Sequence, residues 1–314
     1  MPDASLRGAG GQAYHIPVLC EQVVEFLLTD RSGLYIDGTV GGGGHAGRLC
    51  AALDQEGELL CVDADEEALR AAAGHLAGCA HVRYVQANFR ELASTVRAMD
   101  LRRPSGLLLD LGVSSHQLDE PARGFSFRAE APLDMRFDRR QAFSALDVLN
   151  TYDEARLADV IYRFGEERAS RAIARRIIGA RPLGTTGELA AAVEAAVGAR
   201  FLLKSLARVF QAVRIEVNQE LAALQAVLTD AAALLVPGGR IAVISYHSLE
   251  DRIVKETFRR LAATSVRAAS KLVPDTPVAP LLRVVTRRPV TPAEDECRSN
   301  PRARSAKLRV AERV

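Results

Sequence analysis

The stretch Tyr35-Ile36-Asp37-Gly38-Thr39-Val40-Gly41-Gly42-Gly43-Gly44-His45-Ala46-Gly47 constrains the chain more than any other. An apolar run, a glycine cluster and an Ala/Leu-rich continuation describe a strand, a tight turn and a helix. Glycine has no Cβ, so the turn can adopt positive φ and let a ligand lie against its amides, while the helix start behind it offers unpaired N–H groups. Gly42, Gly44 and Gly47 fit the spacing of dinucleotide-binding turns, with Asp63 about 20 residues further on at the end of a second apolar run, residues 58–62. An acid there suits ribose hydroxyls.

Ribose belongs to NAD and to S-adenosylmethionine alike, so the choice rests on Asp37, which closes the first strand at the mouth of the loop. A carboxylate there repels a pyrophosphate and attracts the sulfonium and ammonium of S-adenosylmethionine. The methyl donor is therefore the leading expectation. NAD is the rival, and a solvent-facing aspartate beside a merely flexible loop is the plain alternative.

With 314 residues and 48% apolar content the chain can bury one large domain with an insertion, or two medium domains. No apolar run approaches the ~18 residues of a membrane span, and the first eleven residues lack the blocks of a signal peptide; the expected location is the cytoplasm. The cysteines Cys20, Cys50, Cys61, Cys79 and Cys297 are odd in number and scattered, which reads as reduced thiols. His75, Cys79 and His81 lack a nearby fourth ligand, and no metal is expected. Net charge is +2 but uneven: residues 1–118 carry 9 basic against 15 acidic side chains, residues 251–314 carry 15 against 7. The C-terminal end is a candidate phosphate-facing surface, although four lysines among 41 basic residues also fit a chain that simply favours arginine.

In chain order, an extended lead-in from Tyr14 through His15, Ile16, Pro17, Val18 and Leu19 precedes a helix carrying Val23, Val24, Leu27 and Leu28 on one face. Beyond Asp63 come a helix over 66–76, a strand over 81–86, a turn Ala87-Asn88-Phe89 where the Phe89 ring offers a flat apolar face, and a strand over 106–110 ending in Asp110. Four apolar strands alternating with helices imply a parallel sheet covered on both faces. Roughly a hundred residues of helical periodicity follow, with helices over 152–164, 166–178 and 189–197. A long helix is expected from Phe210 through Val213, Val217, Leu221, Leu224 and Leu228 to Pro237, then a strand and polar turn over 240–248, a helix to Leu261, a Pro-rich loop over 274–280, and strands over 281–286 and 306–311. The expected division is a methyltransferase domain over 1–118 and 210–314, interrupted by a helical domain over 119–209.

Several blocks carry a family resemblance: Asp37-Gly38-Thr39 with Gly43-Gly44-His45, Leu109-Asp110-Leu111-Gly112-Val113-Ser114-Ser115, Arg123-Gly124-Phe125-Ser126-Phe127, Pro132-Leu133-Asp134-Met135-Arg136, Tyr246-His247-Ser248-Leu249-Glu250-Asp251-Arg252 and Asn300-Pro301-Arg302-Ala303-Arg304-Ser305. Together they resemble the bacterial 16S ribosomal RNA N4-cytidine methyltransferase H family, also called MraW, over about residues 14–313. The resemblance implies a Rossmann-like class I methyltransferase sheet with an added antiparallel strand and an inserted all-helical RNA-recognition domain. It also implies S-adenosylmethionine contacts at Gly43, Gly44, His45, Asp63, Phe89, Asp110 and Gln117. Of these, Gln117 comes from the match alone. Two departures stand out: His116 replaces a common proline, and Lys204-Ser205-Leu206-Ala207-Arg208-Val209 replaces a more usual His-Pro-Ala-Thr-Arg-Thr run.

Transfer to a cytosine amine asks chiefly for positioning, because the amine lone pair is delocalised into the ring and acceptors on its protons favour the form that attacks. The reacting base is expected between residues 110–115 and 245–248, with Asp110, Ser114 and His247 as the groups acting on it and Tyr246 as packing; a structural histidine is the alternative for His247. A target base must be unpaired or turned out of its stack, and the absence of Trp argues for one captured base with phosphates held by arginine. Arg208, Arg214, Arg302 and Arg304 are the expected phosphate contacts in 16S rRNA, unless Arg208 and Arg214 pair with Glu216 and Glu220. The rival functions are a non-catalytic RNA-binding ribosome assembly factor of the same fold and an NAD-dependent oxidoreductase.

Overall fold

The computed structural model describes residues 17–266 and 275–314. Tyr14, His15 and Ile16 of the expected lead-in, the first eleven residues, and Pro274 of the expected Pro-rich loop lie outside the described residues. The chain forms two compact units, Met1–Gly112 with Leu221–Val314, and Val113–Glu220.

Among the described residues the first unit is built on nine strands: β1 Leu34–Asp37, β2 Glu58–Asp63, β3 Val82–Gln86, β4 Gly106–Asp110, β5 Arg240–Ser245, β6 Ser265–Val266, β7 Thr276–Pro277, β8 Leu282–Val284 and β9 Lys307–Arg313. Seven of them form one sheet in the order β3-β2-β1-β4-β5-β9-β8, while β6 and β7 pair with each other. β3 through β5 are parallel; β9 runs antiparallel to β5, and β8 antiparallel to β9. This is a Rossmann-like sheet with added antiparallel strands, whose strand order reverses between β1 and β4, the place where ligands bind in open α/β sheets.

Alternation along each strand sends side chains to both faces. Tyr35, Leu59, Cys61, Leu108 and Ile244 meet Val23, Leu27, Ala46 and Leu49 on one face; Ile36, Leu60, Val62, Leu107 and Val243 meet Leu224, Leu228, Val254 and Phe258 on the other. Both faces are buried, which is why β1, β2, β4 and β5 read as continuous apolar runs. β3 departs from the expectation: Arg83 and Tyr84 are exposed, as befits an edge strand. The thiol expectation is corrected in one pair. Cys50, in the helix Gly44–Ala52, and Cys79, before β3, are joined by a disulfide, whereas Cys20, Cys61 and Cys297 are free. Packing of the helices Gly44–Ala52 and Glu66–His75 brings the two together, a tertiary contact that a spacing of 29 residues does not announce.

The second unit is helical, with Glu154–Gly165, Ser170–Gly179, Thr186–Val197 and Leu202–Asn218 burying Leu157, Ile161, Ile173, Ile177, Leu189, Val193, Phe210 and Val213. Asp153 caps the first of these helices through the Arg156 amide, and Thr185 with Glu188 forms a capping box on the third. The helix expected from residue 166 starts instead at Ser170, because Glu166 takes φ 50° and ends the preceding one. The helix expected to run from 210 to beyond 228 is likewise two, Leu202–Asn218 and Glu220–Leu234, broken at Gln219 with φ 51°. Phe210 and Val213 belong to the helical core and Leu224 and Leu228 to the sheet's, so the helical unit runs 113–220 rather than the expected 119–209.

Candidate cofactor and active site

Three neighbouring strands of the sheet end in aspartate: β1 in Asp37, β2 in Asp63, β4 in Asp110. Asp37 pairs in register with Cys61 and with Leu108. Asp63 and Asp110 each stand two residues further along their strands, so the period of two directs all three carboxylates to the same side of the sheet. Parallel strands put those ends on one edge, beside the reversal of strand order.

The glycine turn is tied to this edge by its backbone. The Gly38 amide donates to the Leu108 carbonyl (2.9 Å), the Val40 amide to the Val62 carbonyl (3.0 Å), and the Gly41 amide to Asp63 Oδ2 (2.9 Å). Gly43 caps the helix Gly44–Ala52 at φ 85°, where an added Cβ would sit 3.2 Å from the Ala72 Cα. Only glycine meets both demands, positive φ and backbone passing backbone.

The carboxylates are distinct. Asp37 is 1% exposed and accepts the Thr39 amide (3.2 Å). Burial pushes its carboxyl up to about 7; His45 and the Thr39 amide pull it down, and Asp110 and Asp63 add to the rise. Burial also raises Asp63, to about 6, against the amides of Asp65 and Gly41 that its two oxygens accept. Asp110 accepts the Tyr246 hydroxyl at Oδ1 (2.8 Å), while its amide donates to Thr39 Oγ1 (2.7 Å). Burial and the Asp110 charge hold the Tyr246 phenol well above its ordinary range, so it remains a proton donor.

His45, in the first turn of the loop helix, is buried with Nε2 2.9 Å from the Val18 carbonyl and Nδ1 3.5 Å from Asp110 Oδ2. A carbonyl only accepts, so Nε2 carries a proton and Nδ1 faces the carboxylate. Phe89 opens a short 3₁₀ turn capped by Asn88 and lies half-buried against the core.

His247 caps the helix Ser248–Leu261: Nδ1 accepts the Glu250 amide (3.4 Å), Nε2 lies 3.1 Å from Glu250 Oε1, and the buried Glu250 carboxylate accepts the amides of Tyr246 and His247. In the second unit, Ser114 and Gln117 cap a short helix reciprocally, the Ser114 amide donating to Gln117 Oε1 (3.1 Å) and the Gln117 amide to Ser114 Oγ (3.2 Å).

The expected phosphate contacts divide. Arg214 is nearly buried and bidentate to Glu220 (2.8 and 2.9 Å), and Arg208 pairs with Glu167 (3.2 Å). Both are spent on the helical unit's own acids, and for Arg214 the acid is one of the two named as an alternative. Arg302 and Arg304 sit on the 3₁₀ turn Pro301–Ser305, Arg304 exposed. The loop, Asp37, Asp63 and Asp110 are thus brought together, with His45 beside them. Thr39, Tyr246 and Glu250 were not anticipated as members of this network. Of these, only Glu250 had a signal, the N-cap to N3 spacing from His247. No group of His, Cys, Asp and Glu suited to a metal occurs among the described residues.

Compared with known proteins, residues 12–314 match the model of the MraW methylase family. Curated relatives named Ribosomal RNA small subunit methyltransferase H are similar along almost their whole length: 47% identical in Acaryochloris marina, over 97% of this chain and 96% of the relative. The relative from Nostoc sp. is 46% identical (95% and 92%), and that from Heliobacterium mobile 45% (96% and 99%).

Proposed function

Because the chain belongs to the MraW methylase family, we propose that it uses S-adenosylmethionine to methylate the exocyclic N4 amine of a cytidine in 16S ribosomal RNA of the small ribosomal subunit. The observation that carries the cofactor is the convergence of Asp37, Asp63 and Asp110 on one strand edge beside the glycine turn. A buried edge lined by carboxylates accommodates a cationic ligand and opposes a pyrophosphate, which disfavours NAD. When bound, S-adenosylmethionine supplies an activated sulfonium methyl group.

The residues suited to hold it are Asp63, for ribose hydroxyls, Asp37 and Asp110, for the positive groups, and Phe89, for the adenine face; Gly43, Gly44, His45 and Gln117 complete the set by family likeness. Asp110 is the group best supported to accept a proton from the amine, since Tyr246 and Thr39 fix its position. Ser114 and His247 are proposed to orient the base. Each also caps a helix, so the orienting atoms are ones already held in place.

Calorimetry with S-adenosylmethionine and NAD, combined with labelled-methyl transfer to purified small subunits and to free RNA, tests the reading. It predicts binding of the methyl donor alone and label in RNA. Binding of S-adenosylmethionine without transfer to either RNA would favour the assembly-factor alternative. No helix among the described residues is long and apolar enough to cross a membrane.

A further inference from the structure

A second charged feature lies away from the strand edge. The later turns of the helix Ser248–Leu261, the strand β8 and the turn after it border an open cavity of about 140 Å³. Lys255, Arg259, Arg287 and Arg309 line it over an apolar floor of Phe258 and Val284, and no carboxylate belongs to the lining among the described residues.

The four cations are not equivalent. Arg309 is buried and neutralised by Asp251, donating from Nε at 2.6 Å, with Lys307 Nζ on the same carboxylate at 3.6 Å. Lys255, Arg259 and Arg287 have no hydrogen bond or ion pair among the described residues, in contrast with Arg208 and Arg214. Arg259 and Arg287 are exposed, and Arg288, also exposed, continues the charge beyond the rim. Three uncompensated cations around one cavity repel each other, and a chain of phosphates relieves that repulsion with release of its counterions.

We propose that this cavity is a docking site for the phosphodiester backbone of the RNA substrate, a second anchor separate from the base-binding edge. At 1.5 Å rise per residue, Lys255 and Arg259 stand about 12 and 18 Å along the helix from His247, which lies at the carboxyl edge of β5. That separation suits one strand engaging both places. The surplus of positive charge over residues 251–314 favours a polyanion over a small ion. This inference rests on the RNA reading above.

The test is the salt dependence of RNA binding by the full chain and by a Lys255→Gln/Arg259→Gln/Arg287→Gln variant. Unchanged thermal midpoint and S-adenosylmethionine affinity establish that the variant is folded. The slope of log affinity against log salt should become shallower by about 2, from ~0.7 per lost contact to single-stranded RNA. An unchanged slope and affinity overturn the proposal. So does a variant that loses binding of inorganic phosphate while keeping the wild-type RNA slope, which would make the cavity a small-anion site. Binding and transfer separate the two claims: a slope change between the two proteins with no methyl transfer by the wild type sinks the methyltransferase reading, whereas normal transfer with an unmoved slope sinks only the cavity.

Discussion

Replacing Asp37 with asparagine keeps the side chain's shape and its acceptor for the Thr39 amide while removing the charge. In the folded protein the carboxyl titrates near 7 against 3.8 for a free aspartate, so burial disfavours its ionised form by about 4 kcal/mol at 1.36 kcal/mol per pKa unit. Between those two values the unfolded chain has released the proton and the folded chain has kept it. Wild-type stability therefore falls as pH rises from about 4 to 7, with the penalty complete above 7. Asp37→Asn escapes the penalty. It should gain about 1 to 3 kcal/mol over wild type at pH 8, allowing for an imperfectly matched amide, and nothing at pH 4. S-adenosylmethionine affinity should move the other way, falling by about 1 to 3 kcal/mol, or about 5- to 150-fold. Urea denaturation of both proteins at the two pH values, with calorimetry at pH 8, reads both effects. A stability difference that is the same at pH 4 and pH 8, or a variant that binds the methyl donor as well as wild type, would refute the assignment of Asp37.

Gly43→Asp forces a side chain toward the Ala72 backbone at a positive φ, and Asp63→Ala removes the ribose acceptor; each should weaken S-adenosylmethionine binding by about 1 to 3 kcal/mol by calorimetry, and unchanged affinity in both would take the loop out of the site. Arg214→Ala removes the bidentate partner of the buried Glu220 and should cost about 3 to 5 kcal/mol of stability, whereas Arg304→Glu, at an exposed position, should leave stability alone and, combined with Arg302→Glu, make RNA binding less salt-sensitive. Ser114→Ala and His247→Ala should slow single-turnover methyl transfer while keeping S-adenosylmethionine affinity within about threefold, or ~0.6 kcal/mol; full activity in both would leave Asp110 as the group that meets the amine.

The parallel sheet was legible because each buried strand is a short apolar run, and three of those runs stop at an aspartate, a residue that a strand buried on both faces tolerates only at its end. The glycine turn was legible for a similar reason, since few backbones other than a tight turn require glycine at Gly41 and Gly43. The break at Gln219 was not, because neither proline nor glycine marks it and the apolar rhythm continues across it from one core to another. Contacts between distant residues were equally hidden. Nothing in the spacing pairs Cys50 with Cys79, the Tyr246 hydroxyl with Asp110, or Arg208 with Glu167. Equally hidden was the second task of Ser114, His247 and Arg214, whose side chains also serve the local backbone or a neighbouring charge.

The most direct test of the central claim is the identity of the methylated nucleoside. Small subunits lacking the modification, incubated with the protein and S-adenosylmethionine labelled in the methyl group, should yield after complete digestion a single labelled nucleoside, cytidine carrying the methyl on N4, at one position of the 16S RNA. Label on another atom or another base, or in a ribosomal protein, would contradict the account.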